Sequence, residues 1–76
     1  MIVNLADVKP GSKVKVARIR GGLGIRQSLS CLGIHPGDFL RVQASGIMQG
    51  PILVSIHGNK IALGRGVASN VLVEVD

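Results

Sequence analysis

Six side chains in this 76-residue chain stand as candidate metal ligands: Asp7, Cys31, His35, Asp38, Met48 and His57. Transition-metal sites gather imidazole, thiolate and carboxylate groups at short, characteristic spacings. No Cys-x-x-Cys, His-x-x-x-His or Glu-x-x-His occurs. Cys31 and His35 are close in sequence, but Gly33 and a helix end fall between them. Cys31 therefore reads as a small, half-buried helix residue, and His35 as a solvated residue before a turn proline. His57 reads as solvated at a strand end. No metal ligand set and no cofactor is expected.

A catalytic reading fares no better. A serine nucleophile needs a base within reach, and general acid–base work needs placed titratable groups. Ser28, Ser30 and Ser45 read as ordinary polar surface positions, and four acids with two histidines show no dyad spacing. Gly21, Gly22 and Gly24 precede a helix, but the Gly-x-x-x-x-Gly-Lys-Ser/Thr pattern of a phosphate loop is missing. They read as a strand-to-helix connection. No catalytic residue is expected.

The remaining chemistry is that of contact. Lys13, Lys15, Arg18 and Arg20 form a basic row with Lys9 and Arg41 nearby, in a chain of formal net charge +5. Such a balance permits nucleic acid, an anionic membrane surface or an acidic protein partner. Single-strand binding also wants aromatic platforms, and Phe39 is the one aromatic residue. Phe39, Leu53 and Leu72 fall on outward strand phases, and Met48 sits in a loop. Were they contiguous, they would make an apolar patch beside cations, which suits protein docking or a homodimer. Two classes stand: a module that binds a protein partner, and a basic barrel that binds nucleic acid.

The elements that must position these groups centre on Leu29-Ser30-Cys31-Leu32-Gly33-Ile34-His35-Pro36-Gly37-Asp38. Ile25, Leu29 and Leu32 recur at helical spacing, which predicts a helix over 25–32. Gly33 stands where a helix stops in a left-handed residue, and Ile34 where a side chain folds back onto Leu29. Pro36-Gly37 and Pro10-Gly11 each predict a type II turn before a strand. The strands are expected near Lys13–Arg20, Asp38–Ala44, Ile52–His57, around Ile61 and Leu63, and over Val71–Val75. Along the first, the phase slips, so a bulge near Val16-Ala17 is expected to keep the cations outside and to turn Ala17 and Ile19 inward. In the second, Leu40, Val42 and Ala44 are expected inward. Gly58-Asn59 predicts a two-residue hairpin turn, and Gly64–Ser69 one tight helical turn.

The composition suits a single domain over 1–76, with 46% hydrophobic residues and only one aromatic, so Val, Ile and Leu must fill the core. One cysteine excludes an internal disulfide. The first seven residues make a poor signal peptide, and no apolar stretch approaches the ~20 residues that span a bilayer. A cytoplasmic protein without direct membrane insertion is expected. The expected fold is all-β: a small SH3-like barrel of five strands, with one short helix inserted between strands 1 and 2. Closure of the barrel would remove unpaired strand edges.

Two segments carry a family likeness. Arg26-Gln27-Ser28-Leu29-Ser30-Cys31-Leu32-Gly33-Ile34-His35-Pro36-Gly37 resembles the helix-turn signature of the FeoA family of small ferrous iron transport proteins. Gly50-Pro51-Ile52 with Lys60-Ile61-Ala62-Leu63-Gly64-Arg65 resembles that family's second signature. The resemblance runs from about Leu5 to Val75. It implies a non-enzymatic cytoplasmic accessory protein working with FeoB, the membrane iron transporter that has a GTPase domain. It brings no metal ligand and no catalytic group onto matching positions. Arg26 and Arg65 fall on the two motifs and are candidate partner-binding residues with Phe39, Leu53, Leu72 and Met48. Either arginine could act in trans on a GTPase. The competing reading makes Arg26 a solvated helix residue and Arg65 a brace for the tight turn. No helix-turn-helix for specific DNA recognition is present.

Overall fold

A computed structural model of the chain describes residues 1–45 and 50–75. Six strands run as β1 (Ile2–Asn4), β2 (Lys13–Ile19), β3 (Phe39–Ser45), β4 (Ile52–Ile56), β5 (Asn59–Leu63) and β6 (Val71–Glu74). A 3₁₀ turn at Leu5–Asp7 follows β1, helix α1 (Leu23–Cys31) joins β2 to β3, and a one-turn helix α2 (Arg65–Ala68) precedes β6. All pairings are antiparallel, in the order β1-β6-β2-β3-β4-β5. The sheet curls into a small SH3-like barrel around a core of Val, Leu and Ile, including Leu5, Val16, Leu29, Ile34, Val42, Ile52, Val54 and Val73. Among the described residues no buried one is polar.

Two expectations about architecture need correcting. Among the described residues there are six strands, because Ile2–Asn4 pairs with β6. The helix therefore lies between the second and third strands of the fold. Three residues are too few to show an alternation, so β1 has no periodic signal of its own. Its place is fixed by Asn4, whose Nδ2 donates to the Ser69 carbonyl at 2.7 Å while its Oδ1 accepts from the Ala6 amide at 3.0 Å. Among the described residues the ladder is open, with β1 and β5 at its ends rather than closed on itself.

The bulge in β2 is present. Val16 faces Val73 and Arg18 faces Leu72, so Ala17 is the extra residue. Ala17 is exposed, not turned inward, because the bulged residue itself leaves the alternation while Ile19 regains the core. A second bulge lies in β3, where Val42 faces Val54 and Ala44 faces Leu53. It turns Ala44 outward, against the expectation. Strict alternation holds in β4, where Ile52, Val54 and Ile56 are buried.

Helix α1 begins at Leu23, two residues earlier than its apolar spacing indicates, with the Arg26 amide donating to the Gly22 carbonyl at 3.3 Å. It lacks a side-chain cap at its start. Its C-terminus is a Schellman motif. The Ile34 amide donates to the Leu29 carbonyl at 2.9 Å and the Gly33 amide to the Ser30 carbonyl at 3.0 Å. Gly33 takes φ +83°, a conformation that a Cβ penalises. Leu29 and Ile34 are both fully buried. Leu32, expected on the apolar face, is 43% exposed, because the chain reverses at Gly33 and Ile34 takes the core position instead.

Both Pro-Gly turns form, the Asp38 amide donating to the His35 carbonyl at 3.1 Å and the Ser12 amide to the Lys9 carbonyl at 3.3 Å. The β4–β5 hairpin turns one residue earlier than expected. Ile56 pairs with Asn59, and His57-Gly58 forms the turn with φ +51° and +81°. Type I′ turns favour glycine at the second position, which Gly58 takes. Gly58→Ala is expected to cost about 1–2 kcal/mol; urea unfolding would read this as a lower midpoint at unchanged slope.

Candidate functional site

A groove of about 420 Å³ opens between α1 and the bulged half of β2. Ala17, Ile19, Ile34 and Pro36 supply its apolar lining, and Arg18, Arg26, Ser30 and His35 its polar one. The bulge sets Arg18 beside it, and the helix contributes Arg26 and Ser30 one turn apart. No lining residue is acidic. Two guanidiniums over an apolar floor suit a carboxylate or phosphate attached to an apolar body.

One wall holds a connected polar line. Ser30 Oγ lies 3.1 Å from His35 Nε2, and His35 Nδ1 lies 3.4 Å from Asp38 Oδ2. The same Asp38 oxygen accepts from the His35 backbone amide at 2.8 Å, and Asp38 Oδ1 stands 3.5 Å from His57 Nε2. The order Ser–His–Asp is that of a hydrolytic triad. An acyl-transfer site also needs donors aimed at the developing oxyanion, and Ser30 lies within α1, where its own amide belongs to the helix. The line instead fixes the turn: Asp38 caps the His35 amide and holds the imidazole against the groove. Sequence spacing showed no dyad here. The legible signal was the helix stop at Gly33, which folds residues 34–38 back alongside Ser30.

The His35 amide bonded to its carboxylate holds the Asp38 carboxyl below its usual value, with the nearby His57 and His35 charges adding to the effect. A carboxyl depressed on folding stabilises the fold above its unfolded pKa of about 3.9 and loses that contribution as pH falls through its lower folded value. Asp38→Asn should therefore flatten the acid limb of a stability–pH curve below about pH 4. Thermal melts of both proteins between neutral and strongly acidic pH would check this; parallel curves would contradict it.

The candidate metal ligands are only partly brought together. Asp38 stands between His35 and His57. Cys31 is exposed, rather than half-buried. Among the described residues no three His, Cys, Asp or Glu side chains are arranged to hold an ion.

The expected partner-binding residues are dispersed. Arg26 lines the groove. Arg65 is half-buried at the start of α2, which packs beside the 3₁₀ turn. Phe39 is 55% exposed on the outer face of the sheet, opposite Lys15. Leu53, half-buried, lies between Ala44 and Ala62. Leu72, also half-buried, lies between Arg18 and Asn4. The row of Arg41 and Ser55 separates Phe39 from Leu53, and Lys15 with Glu74 separates it from Leu72. Met48 lies outside the described residues.

These features define a small SH3-like barrel with a helix set between its second and third strands and a cationic groove beneath that helix. The FeoA domain family profile matches residues 3–75. The chain is 40% identical over 70 residues to a Methanocaldococcus jannaschii protein named "Putative Fe(2+) transport protein A", covering 92% of this chain and 83% of that one. Among solved structures, a crystal structure of an iron uptake regulatory protein (FeoA) superposes with a TM-score of 0.88 at 39% identity, covering 97% of this chain and 96% of that one. A manganese-dependent transcriptional repressor complexed with manganese superposes at 0.92 with 27% identity, covering 99% of this chain but 37% of its own. The chain belongs to the FeoA family. Among the described residues no helix is long and apolar enough to cross a membrane.

Proposed function

We propose that this chain is a non-enzymatic, cytoplasmic accessory protein of ferrous iron uptake that acts by touching the cytoplasmic part of a FeoB-type GTPase transporter. Family membership supplies the iron-transport setting. The groove between α1 and β2 carries the contact reading. Arg26, from the helix signature, and Arg18 flank an apolar floor with no acid to neutralise them. That is the chemistry of a recess for an acidic, partly apolar segment of a partner. The nucleic-acid reading has the cations but lacks the aromatic platforms, since Phe39 stands alone.

The deciding experiment is a titration of this protein against the purified cytoplasmic region of the FeoB-type transporter from the same organism, with and without guanine nucleotide. Saturable binding that weakens with salt is expected. No binding in either nucleotide state would overturn the reading.

A further inference from the structure

Opposite the hydrophobic interior, the outer face of β2–β5 carries cations in register. Lys13 faces Arg41, Arg41 faces Ser55, and Ser55 faces Lys60, so one row crosses four strands. The adjoining row reads Ile2, Glu74, Lys15 and Phe39. Every member of the two rows is exposed except Ser55, which is partly buried. Glu74 is their one acid, and among the described residues the ion pairs run only to Asp38, leaving these lysines outside any pair. Arg41 is anchored by donating from Nη1 to the Gly11 carbonyl at 2.8 Å.

Phe39 organises this face. The Lys13 and Lys15 ammoniums lie 5.4 and 5.9 Å from its ring centroid, within cation–π range. The ring itself remains 55% exposed, and Ile2, at the far end of its row, is 52% exposed. An exposed aromatic clasped by two ammoniums, with further cations around it and an aliphatic side chain at the margin, matches the needs of a membrane–water interface. There cations meet lipid phosphates while apolar side chains enter the boundary below them.

We propose that this face adsorbs to an anionic lipid bilayer surface, with Lys13, Lys15, Arg41 and Lys60 over the headgroups and Phe39 and Ile2 at the interface. Adsorption of this kind needs no membrane-spanning segment. A nucleic acid would share the cations, but Ile2 offers a base nothing to stack on. None of these side chains lines the groove between α1 and β2, so nothing in that recess ties the face to one acidic protein segment. The inference is independent of the groove, which draws on other residues.

The test is co-sedimentation with vesicles of phosphatidylcholine containing about one third phosphatidylglycerol, against pure phosphatidylcholine vesicles. Binding to the anionic vesicles alone is expected, and it should fall as salt rises. Lys13→Ala, Lys15→Ala and Lys60→Ala should each weaken partitioning about fivefold. Phe39→Ala should weaken it roughly threefold or more. Circular dichroism should show each variant folded, since the replaced side chains are exposed. Absence of binding to anionic vesicles at low salt, equal uptake by neutral vesicles, or unchanged partitioning of the folded variants would each overturn the proposal. So would a single-stranded oligonucleotide that bound the face more tightly than anionic vesicles at the same ionic strength and displaced them.

Discussion

Leu29→Ala is expected to lower stability by about 3–4 kcal/mol, a large share of what a domain of this size has. Leu29 is fully buried, and its carbonyl accepts the Ile34 amide that closes the end of α1. Truncation removes apolar contacts from a core of aliphatic side chains that cannot easily refill the space. Because Ile34 packs with the same cluster, the loss also loosens the turn that sets His35 and Pro36 at the groove. In a domain of this length such a loss corresponds to a melting point lower by roughly 12–30 °C. The control is Leu32→Ala, three residues on and in the same periodic row, which is exposed enough to cost under about 1 kcal/mol. Melting curves that moved equally for the two would show that the helix is not anchored as described.

That contrast shows where the sequence could be read and where it could not. The helix stop at Gly33 and the fold-back of Ile34 were legible because both follow from local backbone chemistry. The two Pro-Gly turns were legible for the same reason, as was the alternation of Ile52, Val54 and Ile56. The bulge in β2 was visible as a phase slip, but not which way Ala17 would face, since a bulged residue belongs to neither face. The bulge in β3 left no such mark, because Ala44 is tolerated inside or out. The hairpin offset follows from His57 accepting a positive φ so that Gly58 can take the second turn position. Strand β1 is stabilised almost wholly by its partner β6, and pairing of that kind has no local signature.

The groove was illegible for a related reason. Its walls come from residues 17–19 and 26–36, two segments that meet only when the helix settles over the bulge. Arg26 stands out through its motif, whereas in the sequence Arg18 is one of a row of cations. Only the register separates Arg18 from Lys13 and Lys15: it lies beyond the bulge, beside the groove, while the lysines stay with Phe39. One basic strand thus serves two sites on the outside of the barrel, and the bulge is the divider.

Reversing both groove charges, Arg18→Glu with Arg26→Glu, is expected to weaken binding to the transporter's cytoplasmic region about a hundredfold. A charge-assisted contact contributes about 1.5–3 kcal/mol, so each lost guanidinium accounts for about tenfold or more. The repulsion introduced toward an acidic segment adds to that. Both side chains are exposed and outside the core, so the fold should survive the change. Lys13→Glu with Lys60→Glu supplies the matched control, because it reverses two cations as well, at positions that do not line the groove. If binding to the soluble cytoplasmic region fell as much for Lys13→Glu with Lys60→Glu, general electrostatic attraction would account for it and the groove would lose its role. If the groove reversal fell alone, while Lys60→Ala and Phe39→Ala changed only vesicle partitioning, the barrel would hold its protein partner at the groove and the bilayer at the Phe39 patch. The salt dependence should separate in the same way: the groove reversal should remove the fall of partner binding with rising salt and leave that of vesicle binding largely in place.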